Sequence, residues 1–96
     1  MDSHFGNGEI FALRVQGDSM IDDGIQNGDH VICRKTAVAD NGQLVIAIVD
    51  NENATLKRFH KERRSVRLQP ANDNYQPIYS DNCRIEAVVV GLIRKF

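Results

Sequence analysis

The chain of 96 residues carries 12 Lys and Arg against 13 Asp and Glu, a formal charge of −1, so it has no positive excess to drive non-specific nucleic-acid binding. A chain this short buries a smaller share of its surface than a large one, which predicts one thin-cored domain or a dimer and leaves little room for a second domain. No run approaches the ~18 apolar residues of a membrane span, and the N-terminus lacks the basic start and apolar stretch of a signal peptide, so no membrane contact is expected.

Residues 1–9, MDSHFGNGE, read as a flexible tail or an artificial start, leaving 10–96 as the folded domain. In IFALRV, residues 10–15, Phe11, Leu13 and Val15 alternate with Arg14, the period-2 pattern of a half-buried strand. That strand delivers the chain to RVQGDSMIDDGIQNGD, residues 14–29, where Gly17, Asp18, Gly24, Asn27 and Gly28 bracket Ser19 and Met20. Turn propensity makes this a surface loop with at most one helical turn, closing on Asn27-Gly28. HVICRK predicts the second strand, and the connection after it turns at Asn41-Gly42. LVIAIVD, residues 44–50, is apolar on both faces and predicts the central strand. A polar DNEN turn leads to ATLKRFH, which returns as a hairpin. SVRLQPA, the loop NDNYQP, a short IYS and CRIEAVVVGLIRKF complete the chain. β-Branched residues dominate the apolar runs and turn residues recur at hairpin spacing, so the fold class is mostly β. The AVVVG run at 87–91 fits a core strand and a subunit-interface strand equally well.

Cys33 and Cys83 stand far apart and outside any paired motif, which fits free thiols in a reducing compartment and a cytoplasmic location. A small apolar thiol is commonly buried, and both read as core residues. His4, His30 and His60 are too scattered to ligate a metal with these cysteines, so neither metal nor cofactor is expected. His30, beside Asp29, reads as exposed or locally hydrogen-bonded rather than catalytic. A serine nucleophile needs a base, and a lysine serves when burial lowers its pKa. Lys57 is the lysine to examine: alternation places Thr55, Lys57 and Phe59 on one strand face and Ala54, Leu56 and Arg58 on the other. The alternative is a lysine that snorkels to solvent over an apolar stem. Gly17, Gly24 and Gly28 match no phosphate-binding fingerprint and read as turn glycines. Lys57, Arg58, Lys61, Arg63 and Arg64, interrupted by Glu62, read as charge that keeps a hairpin edge soluble, with contact to a nucleoprotein partner as the other use. Asp22 and Asp23 read as surface carboxylates.

The segments GDSMIDDGIQNGDHVICRK, NGQLVIAIVDNENATLKRF, VRLQPANDNYQPI and EAVVVGLIRKF together resemble the C-terminal self-cleavage domain of the LexA, UmuD and cleavable phage-repressor family over about residues 10–95. A weaker likeness to bacterial signal peptidases shares the Ser-Met pair and the lysine. The resemblance implies a compact domain of several strongly twisted antiparallel sheets and hairpins. It assigns Ser19 as nucleophile and Lys57 as a neutral general base. It also places an oxyanion hole at the backbone N–H groups of Ser19 and Met20, with Thr55 supporting the lysine amine. It implies a homodimer, the protein's own upstream Ala-Gly or Cys-Gly bond as substrate, and a RecA filament on single-stranded DNA as co-protease. DNA contact would pass only through an N-terminal domain. Neither such a bond nor a helix-turn-helix is found in MDSHFGNGEI, so the chain reads as a catalytic core without its cleavage site. A UmuD-like mutagenesis protein, a catalytically silent binding or dimerisation module, and a small β adaptor are the other readings of the same residues.

Overall fold

The computed structural model of the protein describes residues 8–95. Most of the tail predicted at 1–9, His4 included, lies outside the described residues. Strands β1 (Ile10–Arg14), β2 (His30–Lys35), β3 (Leu44–Val49), β4 (Asn53–Lys61), β5 (Val66–Gln69), β6 (Ile78–Ser80) and β7 (Cys83–Ile93) follow the predicted order. The regular helical structure among the described residues is one 3₁₀ turn, Ile21–Asp23, so the mostly β expectation holds. The strands join one sheet of order β1-β2-β7-β3-β4-β5-β6 rather than several, and every pairing is antiparallel.

β3 takes the centre of that order, as its two-sided apolar sequence requires, because a central strand must bury both faces. Its alternate residues feed two cores: Ile46 joins Met20, Ile25, Val31, Cys33 and Ala87, while Val45 and Ala47 join Phe59, Leu68 and Val88. The apolar run at 87–91 lies in β7. Ala87 and Val88 are core, whereas Leu92 and Ile93, at its far end, are 40% and 58% exposed. Irregularities in β7 pairing at Ile32/Cys33 and at Ile46/Ala47 bend the sheet, since an extra residue in one strand increases local twist.

The β3–β4 hairpin turns on Asp50 and Asn51, both left-handed at φ 55° and 57°, and the Glu52 N–H closes it on the Val49 carbonyl at 3.1 Å. Asp and Asn tolerate that region better than other side chains, so the DNEN turn fixes the register that sets Val45 opposite Lys57. β5 pairs only with Arg58–Lys61 of β4. Among the described residues the N-terminal half of β4, Asn53–Lys57, therefore has β3 on one side and no strand on the other.

Candidate active site

Two pieces of sequence 38 residues apart meet at that free half of β4: the Lys57 Nζ lies 3.2 Å from the Ser19 Oγ and 2.8 Å from the Thr55 Oγ1. Ser19 is placed by the loop between β1 and β2, and Lys57 and Thr55 by the strand alternation of β4. A separation beyond about 5 Å would have ruled out proton transfer, which needs hydrogen-bond reach. Lys57 is 8% exposed, so the snorkelling alternative fails. Burial lowers its pKa from the ordinary lysine value, because desolvation disfavours the ammonium. Among the described residues no carboxylate comes within ion-pair distance to offset that effect. In its neutral form that amine would donate an N–H to Thr55 while its lone pair accepts the Ser19 hydroxyl proton.

The pair opens into a cleft of about 320 Å³. Leu13, Val15, Met20, Val31, Ile46 and Leu56 give it apolar walls, and Arg14 and Gln16 add polar groups from the end of β1. Leu13, expected to be half-buried in the core, is 37% exposed because its side of the strand forms this wall. Met20 is 2% exposed beneath the turn and joins the core. The N–H groups of Asp18, Ser19 and Met20 have no hydrogen-bond acceptor among the described residues. Three consecutive N–H groups without a protein acceptor, next to a hydroxyl, are donors that an anion or a developing oxyanion could use.

The loop has little regular structure, so polar contacts hold it. Gly17 and Gly28, with φ of 86° and 91°, make the bends at its two ends. The Gly17 N–H donates to the Asn27 Oδ1 at 2.8 Å. Asp29, 3% exposed, accepts the Gln26 N–H and the guanidinium of Arg94, which also reaches the Gly24 carbonyl. The arginine and the backbone donor hold the Asp29 carboxyl down to a pKa of about 2.

Asp23, read from sequence as a surface carboxylate, pairs with Arg58 at 3.0 Å and ties the serine loop to the lysine strand. Arg58 thus leaves the group of edge charges, in which Lys61, Arg63 and Arg64 remain exposed. His30 is exposed and His60 half-buried, and neither lines the cleft. Cys33 and Cys83 are free thiols, buried and half-buried. Sequence reasoning missed the contacts of Asn72 and Tyr75 with Asp18 across more than fifty residues: the Asn72 side chain donates to the Asp18 carbonyl and the Tyr75 hydroxyl to the Asp18 carboxylate. Their polar, turn-forming types gave no periodic signal that could have found them.

Among known proteins, residues 2–90 match the family model described as Peptidase S24-like. The chain is 55% identical to the LexA repressor of Syntrophotalea carbinolica, with 95% of this chain and 46% of the relative aligned. It is 49% identical to that of Zymomonas mobilis, over 98% of this chain and 44% of the relative. Against that of Staphylococcus aureus strain Newman the figures are 47% identity, 93% and 43%. The chain thus spans less than half the length of these curated relatives. With a family match across most of its length and a serine and a lysine in contact in an apolar cleft, the chain belongs to the Peptidase S24-like family.

Proposed function

We propose that this chain is the serine-lysine self-cleaving domain of a LexA-like repressor, hydrolysing an Ala-Gly or Cys-Gly bond in the linker upstream of it. The observation that carries the reading is the 3.2 Å contact between the Ser19 Oγ and a buried Lys57 Nζ whose pKa burial lowers. The neutral amine takes the hydroxyl proton as Oγ attacks the scissile carbonyl carbon, and the carbonyl oxygen becomes an oxyanion near the N–H groups of Ser19 and Met20. Lys57, now an ammonium, gives its proton to the leaving amine as the C–N bond breaks. A water then adds to the acyl-serine, yielding its proton to Lys57, and collapse of that adduct returns a proton to Ser19. Thr55 keeps the amine aimed at Ser19 throughout.

The substrate is an extended segment. The free edge of β4 at Asn53–Lys57 offers unpaired backbone groups beside Lys57, and strand addition to such an edge is a general mode of peptide recognition. Tethering in the same polypeptide supplies proximity worth several kcal/mol of barrier. A RecA filament on single-stranded DNA would act by shifting the linker's population toward the docked state. Dimerisation through the exposed apolar end of β7, Leu92 and Ile93, fits a repressor that binds DNA through an N-terminal domain in the cytoplasm. The relatives' printed name favours the repressor over the UmuD-like reading.

The test is cleavage at mildly alkaline pH of a linker peptide containing the Ala-Gly bond, joined ahead of this chain or supplied separately. The rate should rise with pH and fall by about 10⁴-fold or more in Ser19→Ala and in Lys57→Ala. Absence of cleavage in the folded wild-type chain, in both formats, would move the reading to a silent binding or dimerisation module.

A further inference from the structure

The β5–β6 connection, residues 70–77, grips the serine loop at four points. The Ala71 N–H donates to the Ser19 carbonyl at 2.8 Å, and the Asp22 N–H donates to the Ala71 carbonyl at 2.8 Å. The Asn72 Nδ2 donates to the Asp18 carbonyl at 2.9 Å. The Tyr75 hydroxyl donates to the Asp18 Oδ1 at 2.6 Å. Asn72 is itself braced, since its Oδ1 accepts the Asn74 N–H at 2.9 Å and its carbonyl accepts the Tyr75 N–H at 3.0 Å.

These contacts select two particular peptide planes. A trans peptide points its C=O and its N–H in opposite directions. Fixing the Asp18 carbonyl therefore aims the Ser19 N–H, and fixing the Ser19 carbonyl aims the Met20 N–H. Both N–H groups are among the three left without acceptors beside the Ser19 hydroxyl. Asn72 sets the first plane, Ala71 sets the second, and Tyr75 holds the Asp18 side chain, fixing the Cα from which the first plane turns about the Asp18 ψ and the Ser19 φ.

We propose that Asn72 and Tyr75 are positioning residues for peptide hydrolysis, holding the backbone donor of Ser19 where the oxyanion of the scissile carbonyl forms, while the Ala71 N–H aims that of Met20. The inference rests on the reading of Ser19 as the nucleophile. Neither residue touches Lys57, so they govern how well the transition state is held and leave the ionisation of the base alone.

The experiment uses this chain preceded by a segment with the Ala-Gly bond, as wild type, Asn72→Ala and Tyr75→Phe. It follows the first-order cleavage rate against pH, the melting temperature, and the hydrogen-exchange rates of the Ala71 and Asp22 amides. Losing an oxyanion donor outright costs about 10²–10³-fold in rate, so a donor only misaimed should lower the high-pH plateau about tenfold for Asn72→Ala and about threefold for Tyr75→Phe. The midpoint of the pH profile should stay in place, and the two amides should exchange faster while those of β3 and β7 do not. A plateau equal to wild type in both variants, or a loss that only tracks the unfolded fraction, overturns the inference. If the wild-type chain does not cleave at any pH, the serine-lysine reading fails on its own. Exchange then decides the grip separately: unchanged Ala71 and Asp22 protection in both variants overturns it, and faster exchange upholds the positioning of the loop.

Discussion

Replacing Lys57 by Met should make the protein more stable at neutral pH while abolishing cleavage. The lysine is 8% exposed and has two hydroxyl partners, Thr55 and Ser19, with no carboxylate among the described residues to balance an ammonium. Methionine has similar volume and no charge to desolvate. The lost hydrogen bonds are worth about 1 kcal/mol each, but Thr55 and Ser19 line an open cleft where water replaces the amine. Removing a destabilising functional group commonly gains about 0.5–2 kcal/mol, and for a domain of this size 1 kcal/mol moves the melting temperature by about 4–8 °C. The pH dependence carries the proof. The folded pKa of Lys57 lies below its unfolded value near ~10.4. Between the two, the unfolded chain binds more protons, so wild-type stability climbs with pH at up to about 1.4 kcal/mol per unit. The full destabilisation is present below the folded pKa and is gone above ~10.4. Thermal melts of both proteins from pH 5 to 10.5 should thus show a gap favouring Lys57→Met that narrows as the pH rises through the upper part of this range. A variant no more stable than wild type, or a gap independent of pH, would refute the claim that a desolvated lysine occupies the site.

Asp29, with its carboxyl held at about 2 by Arg94 and the Gln26 N–H, contributes stability that is present above the unfolded carboxylate value of ~3.9 and is lost as the pH falls toward 2. Arg94→Gln should lower the melting temperature at pH 7 and flatten its fall between pH 4 and 2, both read by circular dichroism. Thr55→Val should leave the fold intact and slow cleavage about tenfold, the equivalent of about 1.4 kcal/mol of barrier, because the amine loses its second partner. Arg58→Ala removes the tie to Asp23 and should slow cleavage by a similar factor of about ten while changing stability by less than about 1 kcal/mol, since an exposed ion pair holds the loop more than the fold.

Strand order and the central position of residues 44–49 were legible, because runs of alternating or two-sided apolar residues report burial directly. The joining of all strands into one sheet was not, because strand sequences carry no record of which edges meet across the chain. The contact of Ser19 with Lys57 entered through family resemblance rather than through spacing; the residues alone favoured Lys57 as a snorkelling lysine, because strand alternation names a face without saying what covers it. Asp23 is exposed, as its sequence suggests, but its ion pair was hidden because Arg58 lies 35 residues away within a run of charge that reads as solubilising. Asp18, Asn72 and Tyr75 were invisible for a related reason. They sit in two loops, where no period constrains which way a side chain points.

That blindness falls on the part of the molecule where the chemistry is concentrated. The Ser19 loop has little secondary structure to hold it, so its conformation is set by contacts from elsewhere: Tyr75 and Asn72 from the β5–β6 connection, Arg58 from β4, and Arg94 just past β7. Each such contact is weak when exposed, and none would hold the loop alone. Together they make the loop's geometry depend on the sheet being folded from end to end, because the anchors lie on segments that only the complete strand order brings within reach. A serine and a lysine 38 residues apart in sequence then meet only in the native state, so under the proposed mechanism an unfolded or half-folded chain would hold no assembled pair to act on its own peptide bonds.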